Sequence, residues 1–336
     1  MHEWKPEATS AEQKARDILT AAMWLHTTFK NHIWLWRGQA DGAYGVEPGM
    51  HSRVLRSSFP HDDATTNVAT EALIKAARRV ELDRLDGSRL PDLALLATLQ
   101  HHGAATPLLD VTTDPLIALW MIAFADAQDP DRLDKRPGAL FGLKRPPHER
   151  WIAPLDARPF MSREMPDVVR SVGDQVWWYV PPPVTDRIRT QRGSFLFGPL
   201  ARPTERADTT LPFDLAQGGT NAIANRLARR GEKSNAAIGK VEIFRIVIPM
   251  ATKPFLRGLL EERSGLSIEA IYPTPWHRPF IDQFSTAYGR GRPLELDIAG
   301  GTDRDRLDTV EPNDVPEPTA ALEAQAGLPP EAPDRL

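Results

Sequence analysis

The 336-residue chain contains no cysteine, which removes disulfides, thiolate nucleophiles and zinc–thiolate sites together. It has no apolar run approaching the ~18 residues of a membrane span. The stretch Met1–Lys14 is polar and charged, without the apolar core of a signal peptide. A strong excess of either charge is also missing. With 41 Lys and Arg against 45 Asp and Glu, the formal charge of −4 gives no overall pull toward nucleic acid, so binding of that kind needs a local basic patch. What remains is an ordinary globular composition, 41% hydrophobic and 26% charged, for which a cytoplasmic address is the expectation.

Charge and apolar content are unevenly spread. Ala299–Leu336 is rich in Asp, Glu, Pro and Ala and has no aromatic residue. Such a segment buries too little surface to offset its ordering entropy, and a disordered tail is expected. The main basic cluster is Asn225–Lys233. It reads either as a solvated helix end or as a phosphate-binding patch.

The remaining chain divides by periodicity. Ser10–Lys30 opens with a capping pattern and continues with apolar residues at helical spacing. His32–Arg37 is short, aromatic and β-branched, and Gly38 ends it, which predicts a strand. Helices are expected over Asp62–Leu85, Pro91–Gln100 and Leu116–Asp126, the last capped by Asp114 with Pro115 in its first turn. Strands are expected at Ala139–Lys144, Val176–Val180, Ser194–Phe197, Val241–Ile248 and Ile268–Tyr272, and a helix at Lys253–Glu262. Helices dominate the first half and strands the second. The class is therefore α+β, a helical N-terminal half packed on a mixed or antiparallel β core.

Two stretches carry chemistry. In Trp36-Arg37-Gly38-Gln39, an arginine fork and an amide flank a residue with no side chain. Glycine admits a ligand to the backbone, and arginine grips phosphate or carboxylate in bidentate fashion. The other reading is an arginine paired with a core carboxylate and a glycine that only turns the chain. In the second stretch, Gln100-His101-His102-Gly103 precedes Thr106, Leu108, Leu109, Asp110, Thr112 and Thr113. Adjacent residues at a helix end point in different directions, so the two histidines are not expected to share one ligand. Metal is not expected, because His-His lacks the i, i+4 spacing of a helical metal pair.

In this order, WLWRGQ, Val46-Glu47-Pro48 leading to Arg53, LATLQHHG, TPLLDVTTDP and ALW resemble the FRG domain family, and Arg187-Ile188 with Gln191–Phe195 resembles a later strand of it. The resemblance runs from about Trp34 to Phe284. Trp36 stands where the family has Phe or Tyr, and Ala104-Ala105-Thr106-Pro107 where it has Leu-Pro-Thr-Arg. It implies an N-terminal helix over 1–30 packed on an FRG domain over 31–298, with the tail at 299–336.

The family's layout is similar to the split sheets of the ADP-ribosyltransferases. That likeness implies NAD as substrate, held by Arg37, Gly38, Gln39, His101, Asp110 and Thr112. His102 would bond the nicotinamide ribose or amide, and Gln191 a ribose hydroxyl. Catalysis of this kind also wants a carboxylate beside the developing positive charge. The strand Gln191–Phe195 has none, which leaves Glu269 or Glu242 as substitutes. The implied target is a macromolecule, protein, RNA or DNA, and the implied setting a toxin or anti-phage effector with an antitoxin or chaperone. Behind the transferase reading stand a non-catalytic nucleotide- or nucleic-acid-binding module and then a metal-independent nuclease using histidine.

Overall fold

Local chemistry starts the helices where the sequence marks them. Ser10 Oγ accepts from Gln13 N–H (3.1 Å), Asp62 Oδ1 from Thr65 N–H (2.8 Å) and Asp114 Oδ1 from Leu116 N–H (2.9 Å), three caps on orphan N–H groups. The structure, a computed structural model, describes residues 1–28, 33–85, 87–124, 135–182, 186–203, 209–215, 222–229, 240–271 and 279–296. The expected tail and residues 230–233 of the basic run lie outside them.

Strand β1 (His2–Trp4) precedes α1 (Ala11–Thr28), β2 (Trp34–Gln39), α2 (Gly49–Leu55) and α3 (Asp63–Arg79). A small hairpin, β3 (Arg84–Leu85) and β4 (Ser88–Arg89), leads to α4 (Asp92–His101), β5 (Leu109–Thr112) and α5 (Pro115–Ala123). Five more strands follow: β6 (Gly138–Lys144), β7 (Trp151–Ile152), β8 (Trp177–Tyr179), β9 (Gly193–Phe197) and β10 (Ile243–Ile248). Around them lie α6 (Val168–Val172), α7 (Asp186–Thr190), α8 (Ala222–Ala228), α9 (Lys253–Ser264), α10 (Ile268–Ile271) and α11 (Pro279–Ala287).

Two expectations need correction. The helix expected to reach Leu85 stops at Arg79, because Glu81 adopts a left-handed conformation (φ 57°) and buried Asp83 gathers Arg78 and Arg89 to hold the β3–β4 hairpin. Residues Ile268–Ile271, expected as a strand, form helix α10. Ser267 starts it, its Oγ accepting from Ala270 N–H (3.2 Å) and its carbonyl from Ile271 N–H (3.2 Å).

The fold is α+β, built on one mixed sheet in the order β1-β10-β6-β2-β5-β9-β8-β7. Inner pairings are antiparallel, and the two edge pairings, β1 with β10 and β7 with β8, are parallel. β2 pairs with β6 over six residues, yet with β5 only through Trp36 opposite Thr112. The sheet is thus two four-stranded halves joined by a single register pair, and beyond it they part as a fork.

Each half has its own helical cover. On β2, β6 and β10, the residues Trp34, Trp36, Leu140 and Phe244 pack under α1, α5 and α9. On β8 and β9, Tyr179, Phe195 and Phe197 pack under α2, α3, α4 and α11. The opposite face of both halves shares one cluster that includes Leu35, Val111, Phe141, Trp178 and Leu196. Side chains alternating across the sheet, as pleating requires, explain why Trp36 and Leu35 enter different clusters. Among the described residues no helix is long and apolar enough to cross a membrane.

Candidate functional site

A cleft of about 390 Å³ opens at the fork, at the small end of the ~300–1,000 Å³ typical of ligand pockets. Its walls are β2 and the turn after it, the end of α4, β5, part of α5, and the segment from α7 into β9. Of the expected site residues, Arg37, Gly38, Gln39 and His101 line it, joined by Asp110, Thr112 and Gln191.

Arg37 sits at the base of the fork with its side chain 16% exposed. Its Nη1 donates to the Asp110 carbonyl (2.8 Å) and stands 3.6 Å from Asp110 Oδ2, while Nε is buried without a hydrogen-bond partner among the described residues. Burial pushes the guanidinium pKa down, Asp110 pulls it back up, and the like charge of Arg290 lowers it again. A guanidinium stays charged regardless. Desolvated, charged and incompletely bonded, it favours an anion beside it.

Asp110 is held from the other side. Gln100 Nε2 donates to Asp110 Oδ2 (2.9 Å) and to the Leu108 carbonyl (3.1 Å), and Thr106 Oγ1 donates to Gln100 Oε1 (2.5 Å). The threonine hydroxyl and the Leu108 carbonyl together fix which end of the amide faces the carboxylate. Oδ2 is therefore occupied, whereas Oδ1 has no hydrogen bond among the described residues and the side chain is 58% exposed. A second lining carboxylate, Asp41, is otherwise engaged. Burial pushes its pKa up, but bonds from Arg136 and from Ala43 N–H outweigh this and hold it below the usual carboxylate range.

The far wall is tied to β5. Thr112 Oγ1 donates to the Gln191 carbonyl (2.8 Å) and Gln191 Nε2 to the Ile271 carbonyl (3.4 Å). Arg192, in the left-handed region (φ 45°), pairs with Asp114 at 3.1 Å. Gln39 Nε2 donates to the Gly45 carbonyl (3.3 Å), which closes the turn after β2.

Three expected roles change. His102 does not line the cleft; its Nδ1 lies 2.7 Å from Asp282 Oδ1 on α11. The histidine that faces the cleft is His101. Burial, then Arg187 and His102, push its pKa down to about 3, so it is neutral at ordinary pH. Gly38 lines the cleft, but its missing side chain serves packing: a Cβ there would stand 1.9 Å from the Ala118 carbonyl of α5. It shares a face with Trp34 and Trp36, and only glycine lets the helix lie this close. Glu269 sits on α10 rather than on a strand, and its side chain lies outside the described groups.

Residues not assigned from sequence complete the walls: Gln100 as the partner of Asp110, Arg187, Asp41, and Tyr44 at the mouth. Tyr44 follows the Arg-Gly-Gln motif by only five positions, but nothing in the sequence marks its ring as exposed.

Among known families, the FRG domain matches residues 32–132, ending well short of Phe284. No curated protein and no solved structure matches the chain. The matched span contains β2 with Arg37, the α4 end with Gln100 and His101, and β5 with Asp110, so the chain carries an FRG domain over residues 32–132.

Proposed function

We propose that the cleft binds NAD and that the domain transfers ADP-ribose from it to a macromolecular acceptor. One observation carries this reading: Arg37 and Asp110 meet across the fork with Nε of one and Oδ1 of the other unbonded among the described residues. An anion-seeking guanidinium beside a hydroxyl-seeking carboxylate suits a ribose phosphate. When the bond between ribose C1′ and nicotinamide breaks, its electron pair leaves with nicotinamide and positive charge gathers on the ribose. A fixed carboxylate stabilises that charge. The sequence places no carboxylate on the Gln191–Phe195 strand and counts Asp110 among the NAD-holding residues; in the cleft Asp110 is the carboxylate suited to this role, since Asp41 is held by Arg136. A nucleophilic oxygen or nitrogen of the acceptor then takes C1′ and releases its proton. A nuclease working through two histidines gains no such support, because one is neutral and the other faces Asp282.

The test is to incubate the protein with NAD, alone and with RNA, DNA or cell lysate, and to measure nicotinamide release. Asp110→Asn should reduce release at least 100-fold, about 2.7 kcal/mol of transition-state stabilisation, while NAD binding changes only a few-fold. Binding without release under every condition would replace the transferase by a nucleotide-binding module. No binding at all would remove both.

A further inference from the structure

Tyr44 is the large aromatic residue most open to solvent at the cleft, 52% exposed, and it lies among the lining residues. Its position is built rather than loose. Gly42 N–H donates to the Pro137 carbonyl (2.7 Å), Ala43 N–H to Asp41 Oδ1 (3.0 Å) and Tyr44 N–H to the Asp41 carbonyl (3.2 Å). Asp41 is clamped by Arg136, and Gln39 Nε2 bonds the Gly45 carbonyl. A turn bonded at nearly every residue fixes the backbone that carries this exposed ring at the cleft mouth.

The ring also has a charged neighbour. The Arg290 guanidinium carbon lies 5.6 Å from its centroid, and Arg290 is itself anchored to Ser52 Oγ (2.8 Å) and Glu47 (3.2 Å). Arg290 is near enough to Arg37 for its charge to act on it. The cleft thus holds an aromatic ring at its mouth, Arg37 and Asp110 in its lining, and Arg290 beside the ring.

We infer that Tyr44 is a stacking platform for the planar ring of a nucleotide whose phosphate lies toward Arg37 and Arg290 and whose ribose lies toward Asp110. This rests on the NAD reading and narrows it: the recognised unit is one ring–ribose–phosphate half, in keeping with a cleft of about 390 Å³. Base–aromatic stacking tolerates different rings because each offers a π face, so either half of a dinucleotide qualifies.

Titration calorimetry on the full chain tests it with NAD, AMP, nicotinamide mononucleotide and ribose 5-phosphate, the last lacking the ring. Tyr44→Ala should weaken the two mononucleotides about 5- to 150-fold, leave ribose 5-phosphate within two-fold, and leave the melting curve unchanged. Tyr44→Phe should restore nucleotide binding, since the face and not the hydroxyl does the work. Unchanged mononucleotide binding in Tyr44→Ala, or an equal loss for ribose 5-phosphate, overturns the platform while leaving NAD binding intact. Wild-type protein that binds no nucleotide overturns the platform and the NAD reading together.

Discussion

Two arginines from neighbouring motifs, Arg37 and Arg53, show what the same side chain does in opposite surroundings. Arg53, on α2 and 4% exposed, binds the carbonyls of Arg292 (3.2 Å), Pro293 (2.6 Å) and Tyr288 (3.5 Å), pinning the chain beyond α11 to the body of the protein. Arg37 is also mostly covered, its side chain 16% exposed, yet only Nη1 meets a carbonyl and Nε has no partner among the described residues. One guanidinium is bonded through all three nitrogens; the other has one nitrogen without an acceptor among the described residues. Depth alone therefore does not separate a structural arginine from a ligand-binding one, and hydrogen-bond completeness does.

The sharpest way to break the comparison is Arg53→Ala. Three carbonyls of the strap lose a largely buried charged donor, and stability should fall by about 3–5 kcal/mol in urea denaturation. A loss below about 1 kcal/mol would mean that the strap at Tyr288–Pro293 is held by something else. Arg37→Ala should do the reverse. It removes one bond but also a desolvated cation, so the urea midpoint should hardly move while NAD affinity falls by about 1.5–3 kcal/mol. A collapsed fold with Arg37→Ala would make both arginines architectural.

Gln100→Leu probes the other partner of the site. Asp110 loses the amide that fixes Oδ2, and turnover or ligand binding should drop roughly ten-fold, with about 1 kcal/mol of stability. If activity is untouched, Arg37 alone positions the carboxylate. The last effect is read against pH and concerns His101. Its folded-state pKa of about 3 lies below the ordinary 6.5, so between those values the unfolded chain binds a proton that the folded one does not. Stability is then complete above about pH 6.5 and declines as pH falls toward 3. His101→Gln should flatten that slope, as read from urea midpoints at pH 4, 5 and 7. An identical slope would show that other groups set it.

Much of this was legible in the chain itself. The caps at Ser10, Asp62 and Asp114 are short-range chemistry, and short-range chemistry can be read from neighbours. Arg37 and Asp110 belong to separate motifs at element ends, which marked them as candidates. Gly38 was harder: next to Arg37 it looks like room for a ligand, and only the packing of α5 shows that the Ala118 carbonyl fills that room. Nor does adjacency tell which of His101 and His102 turns inward; that depends on where α11 brings Asp282, 180 residues later. At Ile268–Ile271 the β-branched pattern suggested a strand, and Ser267, a residue type suited to start a helix, was a weaker signal in the sequence than that pattern. The strand β1, three residues long, is too short for any periodicity and is set by its partner β10.

The single pairing of Trp36 with Thr112 gives the sheet a mechanical character beyond its role in shaping the cleft. Two plates joined by one backbone pairing and by apolar packing on one face only are held less firmly on the cleft side. Anything gripping Arg37 on one plate and Asp110 on the other acts as a second fastening beside that pairing and removes its freedom to turn. An occupied cleft would therefore stiffen both layers at once, and amide exchange along β2 and β5 would slow together even at residues that no ligand touches.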